Sequence, residues 1–329
     1  MISSFVYRRV LNGNRVTKRV CVIARRIMTK TDDGALCSMN VHGRDLIMPL
    51  AHPLPLHLNQ FQFYDRLPGR LAQFIRAKFG AIKCIDVGAN VGDTIAALRE
   101  PFASEKSATV DMFLAIEPNP RFRKCLNSNW GGDGSVVILP YICSSSEGNT
   151  SARISEANGT AIISLEGTEA GGRHDGFTKR TIDSIVRELG EHGDFNLLKI
   201  DTDGHDFEVL GGAKEFIAAS MPFLYFEVDA FSNPHFVEDC LGTLEVLRAE
   251  GYRRLLIYDN FGSIMGLFET DDILSLKRLL FYKLTKTGYY FDFLLMREQF
   301  VDEFYKLEAE YFMGALKNAE LLRSFCALT

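Results

Sequence analysis

Between Lys83 and Val228 the chain repeats one pattern: a short, nearly continuous apolar run, a polar turn, then in most cases a helical segment. The runs are KCIDVGA (Lys83–Ala89), MFLAIEP (Met112–Pro118), VVILPYIC (Val136–Cys143), NLLKID (Asn196–Asp201) and PFLYFEV (Pro222–Val228). Continuous apolar runs are what strands show when both sheet faces are covered. Their alternation with helices predicts an α/β fold, a doubly wound, mostly parallel sheet with helices on both faces. Two further runs, RRLLIYDN (Arg253–Asn260) and YYFDFLLM (Tyr289–Met296), require no helix between them. They are expected as an antiparallel pair at a sheet edge.

Flanking segments divide the chain into residues 1–68, 69–298 and 299–329. In the first, ALCSMNVHGRDLIMPL (Ala35–Leu50) alternates around His42-Gly43 and reads as a β-hairpin. The proline- and aromatic-rich HPLPLHLNQFQFYDRLPG that follows suggests an irregular segment over the surface. Its stripe Phe61, Phe63 and Tyr64 could stack on a sugar ring, although core packing is the preferred reading. The central domain opens with RLAQFIRAKFG, a helix ending at Gly80, and carries a Ser/Gly-rich insertion at 144–180 expected to form a small hairpin. The last part is an amphipathic helical tail.

Charge narrows the function classes. A net charge of -5 argues against a general nucleic-acid binder. Yet Arg8, Arg9, Arg15, Lys18, Arg19, Arg25, Arg26 and Lys30 all precede the first acid, Asp32. The preferred reading is a basic helix face or a partly disordered tail. A membrane-surface arm and an organelle-targeting segment are the alternatives. The apolar run Val20–Ala24 is too short to span a bilayer, and no export signal is evident. Seven scattered cysteines without a C-x-x-C pair fit reduced thiols in a cytoplasmic protein. The inner face of the membrane is a further station for such a basic arm.

In open α/β sheets ligands bind outside the carboxyl ends of the strands, so residues where the runs stop carry the information. The first run ends in DVGANVGDT, Asp86 to Thr94. Gly88 and Gly92 permit a tight turn and close approach of a ligand to the backbone. The spacing is neither G-x-G-x-x-G nor a P-loop, and Asp86 and Asp93 would repel a phosphate. A cationic ligand suits this turn better. The second run ends in Glu117-Pro118-Asn119, where an acid can accept hydrogen bonds from both hydroxyls of a ribose. Together the two turns point to an adenosine ligand without a pyrophosphate, such as S-adenosyl-L-methionine with its sulfonium. The Cys143-Ser144 turn is placed to touch an adenine ring. The fourth run discharges Asp201, Asp203, His205 and Asp206 around Gly204, a costly end for a core strand.

DVGANVGDT, AIEPNPRFRKCLNSN, LLKIDTDGHDFEVLGGA and FLYFEVD, in this order, resemble the FkbM family of S-adenosylmethionine-dependent methyltransferases, from about Lys83 to Asp229 and more weakly to Met296. The resemblance implies a Rossmann-like class I methyltransferase fold, a seven-stranded, mostly parallel sheet with its last strand antiparallel. It also implies O-methylation of a sugar, polysaccharide or glycolipid, or of a polyketide-type metabolite. The family commonly shows E-G-x-E after the fourth strand. Here Asp203-Gly204-His205-Asp206 stands in its place, each acid a methylene shorter.

Methyl transfer to an alcohol needs positioning and a base. Asp86, Gly88, Asn90, Gly92, Asp93 and Thr94 are expected to shape the cofactor site, with Glu117, Pro118, Asn119 and Ser144 completing it. Asp201 is the leading base, with His205 and Asp206 orienting acceptor hydroxyls and Asp203 and Glu227 lining the acceptor pocket. If the strand continues to Asp203, Asp201 and Asp203 share a face. A divalent metal held by the carboxylates is a less favoured alternative, since D-T-D-G-H-D is not an EF-hand loop. A structural alternative has Asp203 and Asp206 capping a helix while Lys199 neutralises Asp201. Rivals from other classes are a nicotinamide-dependent sugar oxidoreductase or epimerase and a noncatalytic binding module on the same fold. The partners expected are a small-molecule or glycoconjugate acceptor and no nucleic acid, with peripheral membrane association as a hypothesis for the basic arm.

Overall fold

The computed structural model describes residues 2–32, 34–104, 111–157, 160–165, 175–190, 195–231 and 233–315. Two N-terminal helices, α1 (Ile2–Asn12) and α2 (Arg15–Thr31), lead into a hairpin of β1 (Leu36–Val41) and β2 (Arg44–Pro49). Both turn residues, His42 (φ 49°) and Gly43 (φ 76°), adopt the left-handed conformation that two-residue hairpins favour. The segment expected to be irregular instead folds α3 (Leu54–Gln60) and begins α4 (Leu67–Phe79). Its prolines fall at the helix starts, Pro55 in α3 and Pro68 in α4, where no backbone donor is needed. Gly80, at φ 78°, ends α4.

The main sheet contains β3 (Lys83–Val87), β4 (Met112–Ile116), β5 (Val136–Leu139), β10 (Leu197–Ile200), β11 (Phe223–Val228), β12 (Arg254–Asp259), β13 (Ile264–Glu269) and β14 (Phe291–Leu295). Its order is β13-β12-β14-β11-β10-β3-β4-β5. The neighbours from β5 to β11 pair in parallel, whereas β14 runs antiparallel to both β11 and β12. This is the expected class I methyltransferase arrangement with its last strand reversed. The strand count differs, because β13 folds back on β12 as an eighth, edge strand. The two late runs do pair, but β14 is interior, and α11 (Ile273–Leu284) stands between them in the chain.

Side chains alternate across the sheet and divide the core in two. Cys84, Phe113, Leu197, Phe223 and Leu294 point to one face, packed with the hairpin, α1, α3, α4, α5 (Asp93–Arg99), α6 (Pro120–Trp130) and α12 (Glu298–Ala315). Ile85, Leu114, Leu198, Leu224 and Phe293 point to the other face. There they meet α7 (Ile182–Leu189), α8 (Asp206–Gly211), α9 (Lys214–Ser220), α10 (Phe236–Ala249) and α11. The third apolar run does not stay whole. It breaks at Pro140 into β5 and β6 (Ile142–Cys143), as a residue without a ladder donor encourages. β6 then joins β7 (Gly148–Ala157), β8 (Thr160–Leu165) and β9 (Asp175–Arg180) in a separate four-stranded sheet, larger than the hairpin expected there.

Candidate active site

The carboxyl ends of β3, β4, β10 and β11 open on a cavity of about 340 Å3. On one side lies the turn from β3 to α5, with Gly88 (φ 80°), Asn90 (φ 47°) and Gly92 (φ 85°) left-handed. A Cβ on Gly88 would overlap the Asp201 carbonyl oxygen, and one on Gly92 would overlap the Trp130 indole. The indole N–H donates to the Gly92 carbonyl at 3.0 Å. Thus the protein's own packing already demands both glycines.

Glu117 joins this turn to the next. Its buried carboxyl accepts from the Asn90 N–H and the Asn119 N–H, each at 2.8 Å. Burial, partly offset by these two amides, raises it to about 7. Carboxylate oxygens carry further lone pairs, so vicinal hydroxyls can still bind to it. Gly88, Asn90, Asp93, Glu117 and Pro118 line the cavity. The other expected cofactor residues stand behind them. Asp86 is fully buried and ion-paired to Lys199 at 3.3 Å. Thr94 borders a smaller neighbouring cavity. The Asn119 side chain caps α6 by accepting from the Arg121 N–H at 2.8 Å. Buried Ser144 donates to Glu208 at 3.1 Å, and it is Cys143 and Glu208 that reach the cavity.

Asp201, Asp203, His205 and Glu227 line the opposite side. The strand ends at Ile200, and Asp203 is left-handed at φ 52°, so the shared face expected for a longer strand does not form. Cross-strand register explains the charge pattern. Lys199 on β10 stands opposite Asp86 on β3 and Tyr225 on β11, while Glu227 stands opposite Asp292 on β14. Buried Lys199 also reaches Asp201 at 3.2 Å, whose side chain stays 50% exposed. Its enclosure in the cavity would raise the Asp201 carboxyl, but Lys199 and a hydrogen bond with Glu227 hold it below its usual range. Burial and the adjacent Asp201 push Glu227 well up. Burial, then Asp201 and Asp206, raise Asp203 to about 8. Asp206 lies beneath the floor at the start of α8, accepting from the Thr202 hydroxyl at 3.0 Å. Among the described residues no cluster of three His, Cys, Asp or Glu side chains is disposed to hold a metal ion.

The roof comes from residues that strand-end reasoning missed: His52, Pro53, Leu54, His57 and Tyr64, with Phe231 and Tyr290 at the far wall. The aromatic stripe splits. Phe61 packs on Phe261 and Phe63 on Phe312, while Tyr64 faces the cavity. α1 and α2 hold the roof from outside. The Tyr7 hydroxyl donates to the His52 carbonyl, and Arg25 donates to the carbonyls of Leu50 and Ala51 at 2.9 Å. Burial pushes His52 down to about 4, leaving it neutral at physiological pH. No local spacing marks these residues, because tertiary folding alone brings them to the strand ends.

A profile of the methyltransferase FkbM domain matches residues 86–254. Hexuronic acid methyltransferase AglP of Haloferax volcanii is 34% identical over 154 residues. That match covers 45% of this chain and 56% of the relative's length. Among solved structures, the FkbM methyltransferase of Methylobacillus flagellatus KT aligns with 16% identity and a TM-score of 0.34, covering 50% of this chain and 37% of that one. Precorrin-6y C5,15-methyltransferase of Geobacter metallireducens GS-15 aligns with 10% identity and a TM-score of 0.33, covering 70% and 87%.

Proposed function

We propose that this chain, which belongs to the FkbM family of methyltransferases, uses S-adenosylmethionine to methylate a hydroxyl of a carbohydrate or glycoconjugate. The observation that carries the reading is Glu117, a buried carboxyl strung between two backbone amides at the edge of the cavity. It suits a ribose diol, and the turn beside it offers carboxyls, not phosphate-binding cations. When bound, S-adenosylmethionine supplies an activated methyl group. Glu117 then accepts from the ribose hydroxyls, while Gly88, Asn90 and Asp93 border the methionine end.

On the acceptor side, the residues divide the work. Asp201 is occupied by Lys199 and Glu227. That leaves Asp203, raised to about 8, as the better-matched base for the acceptor hydroxyl. His205 and Glu227 orient the acceptor, and Asp206 fixes the floor through Thr202. The lining also favours an uncharged acceptor surface. Asp201, Asp203, Glu208 and Asp229 surround it, and Lys199 is its one Lys or Arg among the described residues. A hexuronic acid relative therefore points here to sugar chemistry, with a neutral ring next to the reacting oxygen. The test is an acceptor screen with isotopically labelled S-adenosylmethionine, offering neutral nucleotide sugars and glycolipids beside their uronate counterparts. Label in neutral acceptors supports the reading. Label confined to uronates overturns the acceptor assignment, and none in any carbohydrate overturns the substrate class.

A further inference from the structure

We propose that the outer face of α2 docks the enzyme on an anionic lipid surface, independently of which acceptor it methylates. The inner face of this helix is committed. Cys21 is buried, Ala24 and Met28 pack on the core, and Arg25 donates to the carbonyls beneath the roof. On the outer face, Val16, Val20, Ile23 and Ile27 form a stripe at helical spacing, exposed by 72%, 60%, 60% and 56%. Arg15, Arg19, Arg26 and Lys30, all exposed, run beside it on adjoining helical positions. No ion pair holds these cations among the described residues, and no acid precedes Asp32. α1 adds exposed Ile2 and Phe5 beside Arg8 and Arg9.

Aliphatic side chains flanked by long cationic stems match the boundary between acyl chains and anionic headgroups, where the stems reach the phosphates. Among the described residues no helix is long and apolar enough to cross a membrane, so the contact is peripheral. Charge segregation orients it. The chain as a whole is net -5 although its first 31 residues carry only cations, so an anionic surface attracts α2 and repels the body. Other occupants fit less well. Nucleic acid gains nothing from an aliphatic stripe, and a second copy related by a two-fold axis would set the same cations against one another.

Point changes on the outer face are the appropriate test, because removing the helices would also take Tyr7 and Arg25 from the roof. The full chain would be sedimented with phosphatidylcholine vesicles and with vesicles that also contain phosphatidylglycerol. The parent is expected to bind the anionic vesicles and to be released by salt. Val20→Asp with Ile23→Asp, and separately Arg19→Glu with Arg26→Glu, should each weaken binding by at least about tenfold. Circular dichroism and cooperative thermal unfolding like the parent's would show that both variants fold. A single Ile27→Ser change serves if either double variant does not. Absence of parent binding to anionic vesicles, or undiminished binding by the folded variants, overturns the proposal. So does a parent oligomer that the Val20 and Ile23 changes convert to monomer, which would make the face a contact between copies.

Discussion

Asp203 meets the cavity from a left-handed backbone, a conformation that costs a residue with a side chain about 1 kcal/mol or more. The turn aims its carboxyl into a space already crowded by Asp201 and Asp206, and burial with those neighbours raises it to about 8. A base must be deprotonated to act, so kcat/KM should rise with pH through about 8. Asp203→Asn should lower kcat/KM by roughly 100- to 1000-fold and abolish that limb. A profile unchanged in the variant would remove Asp203 from the role. Which acids end the fourth apolar run was legible in the sequence. Which of them is already engaged was legible only in part: Lys199 beside Asp201 is a local pair two residues apart, expected as the structural alternative, whereas the β3–β10 register, not local spacing, sets Lys199 beside Asp86. Nor could spacing reveal His52, whose carbonyl is held by Tyr7 from 45 residues earlier.

Between elements, two buried charged links carry stability. His42, in the hairpin turn, contacts Asp65 at 2.7 Å and Glu100 at 2.9 Å. Burial alone would lower its pKa, but these carboxylates raise it to about 9. The raised folded value means the contribution is complete below about pH 6.5 and fades as pH rises through about 9. His42→Gln should therefore cost about 1–2 kcal/mol in urea unfolding at mildly acidic pH, and much less in alkali. A cost independent of pH would contradict the imidazolium link. Glu308 of α12 takes two hydrogen bonds from Arg70 of α4, at 2.6 and 2.7 Å, and one from Tyr258 of β12 at 2.9 Å. Glu308→Ala strands both partners and should cost about 3–5 kcal/mol. A loss below about 1 kcal/mol would mean that α12 is not held by this link. The parallel strands and α4 were readable because apolar runs and a terminal glycine are local signals. α3 was not, since prolines that favour a helix start also mark loops, and β13 lies in a stretch with no clear strand signature.

At the scale of the molecule, the layers explain why the cavity lies at one end of the sheet. Helices cover both faces, the β1–β2 hairpin and α1–α4 close one side, and the strand ends open on a cavity that those N-terminal elements roof. The doubly wound class and the position of the candidate site, the cavity at the strand ends, were legible from the runs alone, because the rule that ligands sit beyond the carboxyl ends needs no tertiary detail. The roof required the fold. The most direct measurement is calorimetric titration of the full chain with S-adenosylmethionine, S-adenosylhomocysteine and NAD, repeated with Glu117→Gln. We expect saturable binding of both adenosyl ligands, weakened at least about tenfold by the substitution, and no binding of NAD. Binding of NAD alone, or adenosyl binding indifferent to Glu117, would contradict the account.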